Sequence, residues 1–359
     1  MDIMKKTMGF NQIPQNHTAF VSALTEWFEA SRRELPWRKD REPYHVWVSE
    51  IMLQQTRIEA VKRYYLRFME ALPDVASLSA VPEDALLKLW EGLGYYSRAR
   101  NLKKAAEKIM REYGGVFPDT YAALLTLPGV GEYTAGAIAS ICFEEKVPAV
   151  DGNVLRVMAR VNASRENVLL PETKKAVAAY LTAMLPERPG VFNEALMELG
   201  ELVCLPGGTP LCAKCPVRSF CAASREGLTE VIPVRMKENR RRQEQKTVLI
   251  LTSPGGRVAI EQRPAKGLLA GMYQFPNADG YLSAEEMARA LREWGLRGQA
   301  VGTVIEAKHV FTHIDWYMRG QRVQVTEEGG TFLWVTPEEL AETYALPAAF
   351  RPFLPLLCR

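Results

Sequence analysis

From about Asn16 to Ala223, apolar residues return every three or four positions, the spacing of amphipathic helices. In SRARNLKKAAEKIMREYGG, the residues Ala99, Leu102, Ala106, Ile109 and Met110 fall on one stripe, and Gly114 follows as a C-cap. Similar stripes run through HTAFVSALTEWFEASRR, VWVSEIMLQQTRIEAVKRYYLRFMEAL, PEDALLKLWEGL and ETKKAVAAYLTAML. The alternation of half-buried strands is missing here, so residues 1–230 predict an all-α domain.

The pattern changes across VRMKENRRRQEQK, Val234 to Lys246, which carries six basic and two acidic residues without apolar period. This composition predicts a solvated linker over 231–246, compatible with contact to phosphates. Beyond it, TVLILTSPGGRVAIEQR reads as two strands around a Ser-Pro-Gly-Gly turn, and SAEEMARALREWG as an amphipathic helix. The run VIEAKHVFTHIDWYMRGQRVQV is strand material, and Thr336, Pro337 and Glu339 open a capped helix. Residues 247–359 therefore predict a separate α+β domain, with no internal repeat anywhere in the chain.

Composition adds little to this picture. At 359 residues, 47% apolar and 24% charged, the chain is an ordinary globular one with room for two or three cores. No uninterrupted apolar run is long enough to cross a membrane, and MDIMKKTMGFNQIPQNH lacks the apolar core of a signal peptide. A cytoplasmic location without membrane contact is the expectation. The net charge of +3 does not by itself identify a nucleic-acid partner.

The cysteines change more. Four of the six crowd into Cys204-x7-Cys212-x2-Cys215-x5-Cys221, and Cys142 and Cys358 stand apart among apolar neighbours. Without a secretory signal a disulfide framework is not expected, and four clustered thiolates suit tetrahedral zinc or a cubane iron–sulfur cluster. Zinc usually draws two close pairs from separate hairpins; this single compact loop after a helix favours a 4Fe–4S cluster.

Three further features carry chemistry. Pro128-Gly129-Val130-Gly131 joins the helical run TYAALLTL to a helix starting near Glu132, and glycine there lets N–H groups at a helix N-terminus face an anion such as a DNA phosphate. Glu50 has Val46, Trp47 and Leu53 as helical neighbours, so burial would raise its pKa and keep it protonated, unless it reaches solvent as an edge residue. Asp151 precedes a helical run as an N-cap, a role that lowers a carboxyl pKa. One neutral and one charged carboxyl form the pair expected for cleaving a glycosidic bond.

Helix, PGVG turn, helix, downstream aspartate and four-cysteine loop together resemble the helix–hairpin–helix DNA glycosylases of the endonuclease III superfamily. Within it, VSEIMLQQTR, GLGYYSRARNL, AVDGNVLRV, FNEALMELG and GLLAGMYQFPN resemble the adenine-specific family, across almost the whole chain. The resemblance implies a multidomain protein: an all-α helix–hairpin–helix glycosylase domain with an iron–sulfur cluster loop, then an α+β Nudix-like domain. Residues 36–149 would form the six-helix subdomain, 16–35 with 150–230 the cluster subdomain, and 247–359 the module that reads 8-oxoguanine.

The implied partner is double-stranded DNA containing A·8-oxoguanine or A·G mispairs, bound by a monomer that flips adenine into a pocket. By motif, Glu50 protonates the adenine ring, Asp151 stabilises the sugar cation, Asn153 supports that site, and Trp37, Arg38 and Glu194 line the pocket. Gln55 and Tyr95 match residues that enter the base stack beside 8-oxoguanine, while Phe311, Thr312 and His313 match a loop that reads it. Where lyase relatives carry lysine, this chain has Tyr133, whose hydroxyl is expected to hold Asp151; a monofunctional glycosylase follows. A non-catalytic DNA-binding protein and a bifunctional lyase are the alternatives, opposed by the carboxyl pair and by Tyr133. The segment GYLSAEEMARALREWGLRG lacks the acids of a magnesium-binding Nudix box, so pyrophosphate hydrolysis is not expected.

Two positions depart from the family pattern. The first cysteine spacing is one residue longer than usual, with Gly207-Gly208 able to bulge outward, and threonine stands at 312 in place of serine.

Overall fold

The structure is a computed structural model that describes residues 10, 16–236 and 241–357. Cys358 and residues 237–240 of the expected linker lie outside the described residues. The chain divides into two compact units, Met1–Ala80 with Asn101–Lys237, and Val81–Arg100 with Glu238–Arg359.

The first unit opens with α1 (His17–Ser31), a 3-10 turn at Pro36–Arg38, α2 (Pro43–Leu53), α3 (Ile58–Ala71) and α4 (Val75–Ala80). α5 (Glu83–Leu89) lies in the second unit, as do the first residues of α6 (Ser97–Tyr113). The first unit resumes with the rest of α6, then α7 (Tyr121–Leu124), α8 (Glu132–Phe143), α9 (Gly152–Val161), α10 (Pro171–Thr182), α11 (Pro189–Leu202) and α12 (Ala222–Arg225). Proline opens α2, α10 and α11, where its missing N–H would have had no helical partner. Phe20, Leu24, Phe28, Val177, Phe192 and Leu196 close one core between α1, α9, α10 and α11.

The stripe expected on α6 needs one correction. Ala99, Leu102, Ala105, Ala106 and Ile109 are buried, but Met110 is 38% exposed. It sits about 100° around the helix from Ile109, past the edge of the apolar face.

The second unit continues with β1 (Arg242–Thr252), β2 (Val258–Gln262), β3 (Tyr273–Gln274), β4 (Asn277–Asp279), α13 (Ala284–Glu293), β5 (Gly298–Val310), β6 (Ile314–Val325), β7 (Leu333–Val335) and α14 (Pro337–Glu342). The sheet runs β3-β2-β1-β6-β5, with β1 and β6 parallel from Arg242↔Ile314 to Thr252↔Gln324. Each face of β1 is covered: Val248 and Ile250 meet Trp316 and Phe353, while Leu249 and Leu251 meet Leu291 and Trp334. The Ser-Pro-Gly-Gly hairpin is present, with Thr252 paired to Val258, and Thr336 and Glu339 form a reciprocal capping box.

Two boundaries move. β1 begins at Arg242, inside the expected linker, because pairing along β6 satisfies the backbone of a polar stretch that has no apolar signal of its own. The long strand run is broken at 311–313, where β5 turns back antiparallel onto β6. Among the described residues no helix is long and apolar enough to cross a membrane.

Candidate active site

A cavity of about 1120 Å³ opens in the helical unit. Its walls carry Glu50 from α2, Tyr133 from α8, Asp151 and Asn153 at the start of α9, and Glu194 from α11. Trp37 and Arg38 of the 3-10 turn complete the wall, and Gln55, Gly129 and Gly131 border the opening. Seven side chains expected to act on the flipped nucleotide thus share one space, with Gln55 at its border.

Glu50 is 7% exposed, with Val46 and Trp47 buried beside it. Burial, reinforced by the nearby carboxyls of Asp151 and Glu194, pushes its carboxyl up to about 7, against the lowering influence of Tyr133 and Arg38. Burial thus favours the protonated form of Glu50 more than an ordinary carboxyl setting would.

Tyr133 does not bond Asp151 as expected. Its hydroxyl donates to Glu50 Oε2 and lies 3.2 Å from the Met197 sulfur. From the first turn of α8 the phenol reaches toward α2, while Asp151 is already held by its own helix. The Val154 N–H donates to Asp151 Oδ1 at 2.7 Å, and Asn153 Nδ2 donates to Oδ2 at 2.8 Å.

The cap on α9 is as expected, but its electrostatic consequence is reversed. Burial raises the Asp151 pKa and outweighs the two hydrogen bonds that lower it. Asn153 is positioned in turn by Arg156, which donates to Asn153 Oδ1 at 2.9 Å, to Gly200 O at 2.7 Å and to Cys204 O at 2.8 Å. These bonds need α11 close to α9: a Cβ on Gly200 would lie 2.6 Å from Asn153 Cβ.

On the far wall the expected Arg38 and Glu194 are joined by Arg33 and Glu198, which motif reading missed. Arg38 Nε lies 3.0 Å from Glu194 Oε1, and its Nη2 lies 3.0 Å from Glu198 Oε2. Arg33 grips Glu198 with both arms, at 2.8 and 2.7 Å. Burial alone would raise the Glu198 pKa, yet these guanidinium bonds hold it at about 2. Glu194, by contrast, is raised by burial despite Arg38. Arg38 Nη1 is buried without a hydrogen-bond partner in a group that lines the cavity. The spacing Glu194, Met197, Glu198, Glu201 along α11 was the available signal for this wall.

At the Pro128–Gly131 turn, Gly129 adopts φ 78°, and a Cβ there would fall 2.6 Å from Asn101 Cβ. Val130 points inward and is buried. Gly131 caps α8 with no side chain over the first N–H groups, which leaves that helix end open to an anion.

Cys204, Cys212, Cys215 and Cys221 line a second, small apolar cavity with Arg160 at its side. Arg160 Nη1 lies 3.2 Å from Cys204 Sγ. Burial pushes the Cys215 thiol up to about 12 and raises that of Cys221, so their thiolates need a cation. Gly207 and Gly208, at φ 73° and 70°, carry the extra residue of the first spacing in an exposed bulge. Among the described residues no three Cys, His, Asp or Glu side chains are grouped as one metal ion would need.

In the second unit Phe311, Thr312 and His313 form the β5–β6 turn, and Thr312 Oγ1 lies 3.2 Å from the Tyr95 hydroxyl. Phe311 is anchored by ring contacts to His309 and Trp316. Tyr95 is 47% exposed at φ 48°. Arg98 steadies its turn by donating to Leu93 O and Gly94 O while lying against the Tyr95 ring. Gln55, in the first unit, is likewise exposed at φ 59°. Both residues hold left-handed backbone, which is uncommon away from glycine.

Comparison with known proteins agrees with this geometry. Residues 48–187 match the HhH-GPD superfamily of base excision DNA repair proteins, and residues 247–356 match a NUDIX domain. The adenine DNA glycosylase of Mus musculus is 38% identical over 362 residues, covering 83% of this chain and 69% of the relative. That of Homo sapiens is 34% identical over 408 residues, covering 94% and 74%. A thermostable thymine-DNA glycosylase superposes with a TM-score of 0.54 at 29% identity, over 59% of this chain and 98% of its own. A trapped endonuclease III–DNA covalent intermediate shares the fold, with a TM-score of 0.51 at 23% identity over 60% of this chain and 100% of its own.

Proposed function

The chain belongs to the adenine DNA glycosylase family of base excision repair, and from that premise we propose that it hydrolyses adenine from A·8-oxoguanine and A·G mispairs and leaves the strand uncut. The observation that carries this reading is the pair Glu50, buried, and Asp151, half-buried, two carboxyls on one cavity with unlike hydrogen bonding. Glu50, protonated near neutrality, delivers its proton to N7 of the flipped base, so that adenine leaves as a neutral molecule. Asp151, held in place by the Val154 N–H and the Asn153 amide, faces the positive charge growing at C1′. Water then adds to that carbon and gives up a proton to the Glu50 carboxylate, which restores the acid. Trp37, Arg38 and Glu194 supply the aromatic and charged wall against which the base rests.

Tyr133 supports the monofunctional outcome in a different way from the one its motif suggested. A phenol offers no amine for a Schiff base, and its hydroxyl is engaged with the acid rather than with the sugar side of the site. The Pro128–Gly131 turn offers its open helix end to a phosphate. Gln55 and Tyr95 fill the gap left by the flipped nucleotide. Thr312, both donor and acceptor, meets the edge of 8-oxoguanine, where oxidation has turned N7 from acceptor to donor. The protein acts as a monomer on duplex DNA.

The four cysteines fit a 4Fe–4S cluster better than zinc. Sulfurs around one zinc sit about 2.3 Å from it and so crowd together. Here the same four line one small apolar cavity supplied by a single loop after α11, and that one-loop, four-thiolate donor set supports the cluster reading. When bound, the cluster cross-links the loop that follows α11. A colourless protein containing stoichiometric zinc would overturn this assignment. For the reaction itself, a labelled duplex with one A·8-oxoguanine pair should break only after alkali treatment. Breakage without alkali would mean a lyase.

A further inference from the structure

We propose that the Met197 thioether is a second acceptor for the Tyr133 hydroxyl and thereby holds Glu50 in its acid form. The inference rests on the reading of Glu50 as the proton donor. Met197 sits on α11 one turn after Glu194, partly buried, with its side chain on the active-site cavity. Its sulfur is 3.2 Å from the Tyr133 oxygen, which also touches Glu50 Oε2.

A phenol has one proton and cannot satisfy both acceptors at once. When Glu50 is ionised, Tyr133 donates to the carboxylate and stabilises the charged form. When Glu50 is protonated, the carboxyl donates to the phenol oxygen, and the phenol proton must turn elsewhere. The Met197 sulfur is where it turns. Without that acceptor the protonated arrangement leaves a buried O–H unsatisfied, and the balance moves toward the carboxylate, which is useless as an acid. Met197 is thus a positioning residue that acts through Tyr133.

The other groups facing Glu50 do not replace this function. Asp151, Glu194 and Cys142 are acidic or thiol groups from α9, α11 and α8, and Arg38 from the 3-10 turn favours the charged form. None of them accepts a hydrogen bond from the Tyr133 hydroxyl.

The test is the pH profile of single-turnover adenine release, with protein in excess, for wild type, Met197→Leu and Met197→Gln. Leucine keeps the volume and removes the acceptor. The basic limb should move to lower pH by about half a unit in Met197→Leu, the size of a weak hydrogen bond. Met197→Gln, whose amide oxygen accepts, should return it toward wild type. A Met197→Leu limb superimposed on wild type overturns the inference, as does a rate lowered by one factor at every pH. If Met197→Leu is too slow to profile, infrared difference spectra of the DNA-free protein against Glu50→Gln report the same carboxyl, and an unshifted titration overturns the inference equally. Wild type that releases no adenine at any pH refutes the acid reading itself and takes this inference with it, an outcome distinct from the others.

Discussion

Replacing Glu50 by glutamine should stabilise the protein above neutrality while removing its chemistry. Glutamine keeps the shape of the side chain and an acceptor for the Tyr133 hydroxyl, but it cannot ionise. In the folded chain burial lifts Glu50 from 4.5 to about 7. At about 1.4 kcal/mol per pH unit, that displacement costs the ionised folded state about 3 kcal/mol.

The sign follows from proton binding. Below about pH 4.5 folded and unfolded chains both hold the proton, and this residue does not affect stability. Between 4.5 and 7 the unfolded chain releases it while the folded chain retains it, so stability falls as pH rises, to a plateau above 7. Asp151 and Glu194, also raised by burial, add to the same trend, and the difference between the two proteins reports Glu50 together with its repulsion of these two carboxyls. Urea unfolding followed by far-UV circular dichroism, which the helical unit dominates, reads the difference. Between about pH 5 and about pH 8, Glu50→Gln should gain about 3 kcal/mol relative to wild type. Parallel stability profiles for the two proteins would refute the claim that this carboxyl is held protonated by burial.

Other consequences follow from the same contacts. Tyr133→Phe removes a hydrogen bond that favours ionised Glu50, so the basic limb of adenine release should move upward by roughly one pH unit; a limb that stays in place argues against the contact. Glu198 is held at about 2 by Arg33 and Arg38, so its stabilisation is full above 4.5 and lost as pH falls toward 2. Glu198→Gln should therefore lower stability at neutral pH by about 3 kcal/mol, with the deficit shrinking in acid. Gly200→Ala forces a methyl group against Asn153, and should cost about 1–3 kcal/mol in urea unfolding together with slower adenine release. Unchanged unfolding would show that the α9–α11 approach is loose.

What the sequence revealed was local. The Asp151 cap, the Thr336–Glu339 box, the apolar setting of Glu50 and the double-glycine bulge are all written within a few residues of themselves, and each is present. What it concealed depends on chain segments far apart. Nothing near Tyr133 says that its hydroxyl meets Glu50, 83 positions earlier, rather than Asp151. The Asp151 pKa was misjudged because capping is a local property and burial a tertiary one. Glu198 was not singled out at all, because the Arg33 that folds against it lies 165 residues away. β1 was shortened in the reading because its first residues are ordered by β6 and not by their own pattern.

The central claim is hydrolysis of adenine's glycosidic bond by Glu50 and Asp151. It is tested most directly by single-turnover release of free adenine from a duplex with one A·8-oxoguanine pair, with wild type and Glu50→Gln compared at equal DNA binding. Wild type should release adenine and leave the strand intact, and Glu50→Gln should bind the duplex and release none. No release by wild type under conditions where the duplex is tightly bound, or full release by Glu50→Gln, would contradict it.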